Sequence, residues 1–204
     1  MVGFVEASDG ARFYNAAIYL EGGEILHRHR KVYLPAYGLL DEYRYFARGD
    51  RFRAFDTRFG RVGLAICEDL WHPSAPYLLA MDGAQTLLCV SNSPLRGVSQ
   101  PEGPDAMLTW ERLLRAYAQL FGQHVLDAHR VGFEDGVDFR GGSMVTGPSG
   151  RLIARAGPLE ETVPTARIDP GDVRRERTSR PLLRDEDVEP TLAELTRIGT
   201  ARRG

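Results

Sequence analysis

Arg61-Val62-Gly63-Leu64-Ala65-Ile66-Cys67-Glu68-Asp69-Leu70-Trp71 is the stretch on which the reading of this chain turns. A short apolar run stops in a cysteine, and two acids, a tryptophan and His72-Pro73 follow at once. An apolar run without polar alternation is the pattern of a strand buried on both faces. A cysteine where such a strand ends can stand at a strand-to-helix turn with its sulfur in a cleft. Backbone N–H groups of that turn can then face a developing oxyanion. The competing reading is a buried structural cysteine, which a free cysteine often is.

Working outward, Lys31 is the only lysine among 26 lysines and arginines. A biased genome explains the arginines but not the survivor. Lysine offers a compact ammonium on a flexible stem, which arginine does not, so a position that needs an amine resists replacement. A chance survivor on the surface is the alternative.

The totals describe one domain of 204 residues with ordinary apolar content, 43%, and a formal charge of −2. That balance gives no push towards nucleic acid or anionic membrane. No apolar run has spanning length and no signal peptide follows Met1. Two cysteines, Cys67 and Cys89, make no disulfide framework, so a reduced cytoplasmic setting is expected.

Strands are expected at Val2–Glu6, Arg12–Leu20 and Glu24–Arg30, the last two joined at Gly22-Gly23. The third delivers Lys31. A long aromatic loop, 32–48, follows. Phe52–Phe55 and Val62–Ile66 form a hairpin around Arg58-Phe59-Gly60. Pro73 opens a helix to about Met81. Thr86–Val90 is a buried strand ending in Ser91-Asn92-Ser93-Pro94, and Leu95–Pro104 is a surface loop. Asp105 caps a helix over Ala106–Phe121, with Leu108, Leu113, Leu114, Ala118 and Phe121 on its apolar face. A strand runs from Val125 towards Arg130, and Gly141–Val145 and Arg151–Ala154 form a hairpin. Residues 170–204 read as an extended polar arm and then a helix over about Glu186–Ile198. Alternating strands and helices with frequent hairpins imply an α/β sandwich built on a mixed sheet.

A cysteine nucleophile works as its thiolate, which a nearby cation favours. The five histidines are His27, His29, His72, His124 and His129, and none sits in a recognisable Cys-His motif. Histidine is therefore not the expected base. His27 and His29 share a strand face, but with no further ligand they read as a solvated face and not a metal site. A lysine beside Cys67 would stabilise both thiolate and oxyanion. A carboxylate is then needed to move protons, with Glu6, Glu42, Glu68 and Glu134 as candidates.

Arg30-Lys31-Val32-Tyr33-Leu34-Pro35, then Phe55-Asp56-Thr57 with Phe59-Gly60-Arg61-Val62-Gly63, then Ile66-Cys67-Glu68-Asp69-Leu70-Trp71 together resemble the nitrilase, or carbon–nitrogen hydrolase, superfamily. The loop Pro35-Ala36-Tyr37-Gly38-Leu39-Leu40-Asp41-Glu42 with Tyr45-Phe46 is most similar to the glutamine-amidase domain of glutamine-dependent NAD synthetases and its stand-alone relatives. The resemblance implies a four-layer α-β-β-α sandwich that pairs into homodimers or larger homo-oligomers. It also implies a Glu-Lys-Cys triad with a thioester intermediate, acting on a small-molecule amide without metal or cofactor. On that pattern Cys67 is the nucleophile, Lys31 holds the oxyanion with the Glu68 N–H, and Glu42 is a further glutamate beside the lysine. Tyr37, Trp71 and Ser93 would line the substrate pocket.

The pattern is not complete. Val2-Gly3-Phe4-Val5-Glu6 resembles the family's second strand, so Glu6 does not align with the triad glutamate, and an N-terminally truncated chain is expected. His129 stands where an asparagine is common, and Arg140 where a tryptophan is common. The expected activity is hydrolysis of a carboxamide C–N bond with release of ammonia. The alternatives are a catalytically impaired homologue with a structural role, and a redox protein in which Cys67 pairs with Cys89.

Overall fold

The computed structural model describes residues 1–38, 40–94 and 102–202. The first three strands, β1 (Val2–Ala7), β2 (Phe13–Glu21) and β3 (Glu24–Arg30), form an antiparallel sheet in the order β1-β2-β3. A six-stranded sheet takes β4 (Ala54–Thr57), β5 (Gly60–Ile66), β6 (Thr86–Ser91) and β7 (His124–His129). A short hairpin, β8 (Val131–Glu134) and β9 (Val137–Arg140), stands apart, and β10 (Met144–Thr146) and β11 (Leu152–Arg155) complete the large sheet. Its order is β11-β10-β7-β6-β5-β4, with β5, β6 and β7 parallel and the outer strands antiparallel. This is the mixed sheet that the alternation of elements implied.

Helices α1 (Ser74–Met81) and α2 (Glu102–Phe121) cover one face of the large sheet. Strand β5 is buried from Val62 to Ile66, as its unbroken apolar run requires. Val62, Leu64 and Ile66 meet Ala17 of β2 and Phe55 of β4 between the sheets. Ala65 joins Leu79, Leu87, Leu114 and Val125 in the core under the helices. Each of those fully buried leucines contributes about 1.5–3 kcal/mol by leaving water. Gly63 lets α1 come this close: a Cβ there would lie 3.1 Å from the Leu79 side chain.

The described residues thus build a helix layer, the large sheet and the small sheet. On the outer side of the small sheet Phe4, Leu20 and Ile25 are exposed. Glu6 is buried in an ion-pair cluster with Arg28 (2.7 Å) and Arg30 (2.8 Å), and Arg30 lies over the Tyr14 ring.

Several expectations need correction. Helix α2 opens at Glu102, so Asp105 lies inside it and is not its cap. Its buried face is carried by Trp110, Leu114, Tyr117 and Ala118, whereas Leu108 is exposed. The expected loop from Leu95 lies outside the described residues as far as residue 101. The polar segment after Asp169 is helical, not extended: α3 (Pro170–Ser179) starts at Asp169, whose side chain accepts from the Gly171 N–H at 2.8 Å. An N-cap acid followed by proline was a readable start signal. Helices α4 (Leu182–Asp185) and α5 (Val188–Ala201) follow. The β8–β9 hairpin was also unexpected, though its turn is Asp135-Gly136, with φ of 51° and 77°.

His27 and His29 do not form a solvated face. His27 stacks on Phe55 with centroids 4.2 Å apart, and His29 is 3% exposed. Burial, with a smaller push from His29, drops His27 to about 4. The unfolded chain therefore binds this proton first, and its contribution to stability is full above pH 6.5 and lost as pH falls towards 4. Thermal unfolding should show Tm falling across that window. His27→Gln should flatten the fall, and an unchanged slope would remove His27 as its source.

Candidate active site

The C-terminal ends of parallel β5, β6 and β7 lie side by side, the usual place for a ligand site in such a sheet. A cavity of about 600 Å³ opens there, between the large sheet and the edge of the small one. Lys31, Glu42, Cys67, Ser91, Asn92 and His129 are among its lining residues.

Cys67 follows the last residue of β5 and opens the 3-10 turn Cys67–Trp71. Its φ is +43°, a left-handed conformation that a non-glycine residue adopts only when its surroundings enforce it. Asp69 does the enforcing. It is fully buried, and its carboxylate accepts the Ile66 N–H (3.0 Å) on one oxygen and the Val32 and Tyr33 N–H groups (3.0 Å each) on the other. His29 Nε2 lies 2.8 Å from the same carboxylate. One side chain therefore fastens the Cys67 turn to the end of β3, where Lys31 emerges.

Lys31 is 2% exposed, so the chain's single lysine is not a surface survivor. Its N–H donates to Asn15 O (2.8 Å) and its carbonyl accepts the Gly49 N–H (2.8 Å). Its Nζ meets Glu42 Oε1 at 2.6 Å. Glu42 reaches the cavity because loop 32–48 folds back into a 3-10 turn over Glu42–Arg44, where the Glu42 N–H donates to Pro35 O. The second carboxylate oxygen, Oε2, is buried with no hydrogen-bond partner among the described residues.

Burial raises the Cys67 thiol, and Lys31, the Asn92 backbone and Ser93 pull it part of the way back. The net shift is upward, which favours the thiol over the thiolate.

The remaining expected site residues divide. Ser93 Oγ is 3.7 Å from Cys67 Sγ. Tyr37 donates to Glu68 Oε2 at 2.7 Å; burial of its hydroxyl end, and then Glu68, push the phenol up. Tyr37 is 60% exposed and does not line the cavity. Trp71 does not line it either, and packs on Trp110 at 5.4 Å. Of the four candidate carboxylates only Glu42 faces the cavity. Glu6 is held by its arginines, Glu68 by Tyr37, and Glu134 by Arg130 at 2.6 Å. Cys89 is fully buried, with Sγ 3.2 Å from Ser91 Oγ.

Residues that the sequence reading passed over are Asp69, Ser91, Trp110 and Asp127. Asp127 was detectable as an acid inside the apolar run Val125-Leu126-Asp127-Ala128, where an unpaired charge would be costly.

A family model described as carbon-nitrogen hydrolase matches residues 1–178. This chain belongs to the carbon–nitrogen hydrolase family. It is 30% identical over 196 residues to N-carbamoylputrescine amidase of Solanum lycopersicum, covering 90% of this chain and 64% of that protein. It is 33% identical over 165 residues to glutamine-dependent NAD(+) synthetase of Aquifex aeolicus, covering 80% of this chain and 28% of that one. A solved carbon–nitrogen hydrolase from Helicobacter pylori G27 superposes with a TM-score of 0.86 at 29% identity, over 92% of this chain and 67% of that one. The chain thus spans less than two thirds of the length of these two curated relatives. As a family member it has the nitrilase-type α/β fold. None of its described helices is long and apolar enough to cross a membrane.

Proposed function

We propose that this carbon–nitrogen hydrolase cleaves a carboxamide C–N bond of a small molecule through a Cys67 thioester and releases ammonia. The observation that carries the reading is the buried Lys31–Glu42 pair in the same cavity as a strained cysteine at a strand end. Sγ of Cys67 adds to the amide carbonyl, and Lys31 Nζ and the Glu68 N–H stabilise the oxyanion. Glu42 fixes the ammonium through Oε1. Its Oε2, unpartnered among the described residues, and the Ser93 hydroxyl offer polar contacts to the substrate. Nitrogen leaves with the proton taken from the thiol, and water then cleaves the thioester. N-carbamoylputrescine amidase as a relative supports an amide or carbamoyl substrate. A cytoplasmic homodimer or larger homo-oligomer is the assembly implied, and the exposed apolar residues of the small sheet support it.

The test is ammonia release from a panel of amides, carbamoyl compounds and glutamine, with intact-mass detection of an acyl adduct. An adduct present in the wild type and absent in Cys67→Ala is expected. Ammonia release that survives Cys67→Ala would overturn the mechanism. One observation favours a second reading, a non-hydrolytic homologue: Glu42, the one carboxylate lining the cavity among the described residues, is already committed to Lys31. Neither ammonia nor adduct from any compound would select it.

A further inference from the structure

We propose that a second pocket, at the outer edge of β3, is a binding site for a phosphate group, free or carried on a small ester. It encloses about 300 Å³ and shares no lining residue with the strand-end cavity. The proposal is therefore independent of the chemistry at Cys67.

Alternation along β3 sends Arg28 and Arg30 to one face of the strand and His27 and His29 to the other. All four line the pocket, so it wraps the strand edge. Asp50, Arg51 and Arg53 close it from the segment that leads into β4. Among the described residues no strand pairs with β3 on this side, because the small sheet ends there. Four arginines thus line one concave pocket, in a chain whose formal charge is −2. Low-dielectric walls focus such a field and concentrate anions within it.

The arginines are held in place without being used up. Arg28 donates to Glu6 through Nη1 alone (2.7 Å). Arg30 donates to the same carboxylate through Nε and Nη2 (2.8 Å each), and its guanidinium carbon sits 4.0 Å from the centre of the Tyr14 ring. Arg51 donates to Asp50 through Nε and Nη2. A guanidinium carries five N–H donors, so each of the three keeps donors for a ligand. The Arg53 side chain makes no ion pair or hydrogen bond among the described residues. Its charge acts at a distance on Asp82, which is already bonded to Arg61.

The chemistry of the ligand follows from this arrangement. Glu6 and Asp50 are the carboxylates bonded to these arginines, two anions against four cations. A phosphate ester carries nearly two negative charges at neutral pH and three acceptor oxygens, which matches the excess. The planar fork of arginine takes phosphate oxygens in pairs. A single carboxylate would offset half of the excess. The two imidazoles serve as walls: His27 is stacked on Phe55, and His29 Nε2 is engaged by Asp69. The volume lies at the lower end for ligand sites, which suits a phosphate on a small body and not an extended cofactor.

The test titrates the folded chain with inorganic phosphate, glycerol phosphate and acetate at about pH 8, where phosphate is doubly charged. Ionic strength is held with chloride. Binding is read by calorimetry and by Tm in the wild type, Arg53→Gln and Arg28→Gln. With a Kd of about 1 mM, either phosphate at about 10 mM should raise Tm by about 3–5 °C, and acetate should not. Arg53 has no partner to strand, so Arg53→Gln should keep the basal Tm and weaken binding by about tenfold or more. Arg28→Gln should weaken it as well, with Arg30 still holding Glu6. Tighter binding of glycerol phosphate would identify an ester as the ligand, and tighter binding of inorganic phosphate the free ion. Phosphate also stabilises folded proteins by exclusion from their surfaces, without a site. A Tm rise of equal size in the wild type and both variants, or no heat of binding in the wild type, overturns the proposal. So does phosphate that protects Cys67 from iodoacetamide with the same affinity in all three proteins, which would place the ion in the strand-end cavity.

Discussion

Asp69→Ala should destabilise the chain by about 3–5 kcal/mol, the range for breaking a buried charged network. The substitution removes one acceptor and strands four groups: His29 Nε2 and the N–H groups of Val32, Tyr33 and Ile66. Each orphaned N–H alone costs about 1–3 kcal/mol in a site closed to water. For a domain of this size, Tm should drop by roughly 10 °C or more. Folded molecules that remain should also be poor catalysts, because Asp69 sets both the turn at Cys67 and the end of β3 at Lys31. Asp69→Asn should be milder in stability, since its oxygen still accepts from Val32 and Tyr33 while its NH₂ opposes the Ile66 N–H. Thermal unfolding decides the matter: an alanine variant within 3 °C of the wild type, on the order of 1 kcal/mol, would remove Asp69 from the role assigned to it.

Lys31→Met keeps the length of the side chain and deletes the amine. Amide turnover should fall by about 10²–10³-fold, the usual cost of one oxyanion donor. Stability should fall as well, because Glu42 is left with both oxygens buried and unpartnered. The two effects separate in Lys31→Met/Glu42→Gln. The double variant removes the stranded charge and should recover most of the lost Tm without recovering turnover. If it regains turnover to within about tenfold of the wild type, the amine is a structural counter-ion and not part of the chemistry.

How far the sequence could be read depended on whether a signal was local. Strand β5 and its terminal cysteine were legible because an unbroken apolar run has one good solution, burial on both faces. Strand β3 was found at its observed ends, Glu24 and Arg30, because Gly22-Gly23 marks the hairpin. The face of α2 was only half legible. Trp110 and Tyr117 are amphipathic, and nothing nearby said that Asp127 and the Leu70 carbonyl would satisfy their polar ends. The partners of the candidate site residues were hidden for the same reason. Asp69 stands two residues after Cys67 in plain view, but three of its four partners come from residues 29, 32 and 33, reached only when two sheets face each other. Glu42 differed from the other candidate acids only in where a 3-10 turn aims it, and Trp71 packs outside the cavity on Trp110, a partner distant in sequence.

The burial of the one lysine has a consequence for the outside of the molecule. A surface furnished with arginine carries positive charge that acylating reagents do not touch, because guanidinium stays protonated. With Lys31 closed off at 2% exposure, no lysine amine within residues 1–204 is presented to solvent. Lysine-directed coupling therefore finds no exposed target on this domain and leaves the cavity alone.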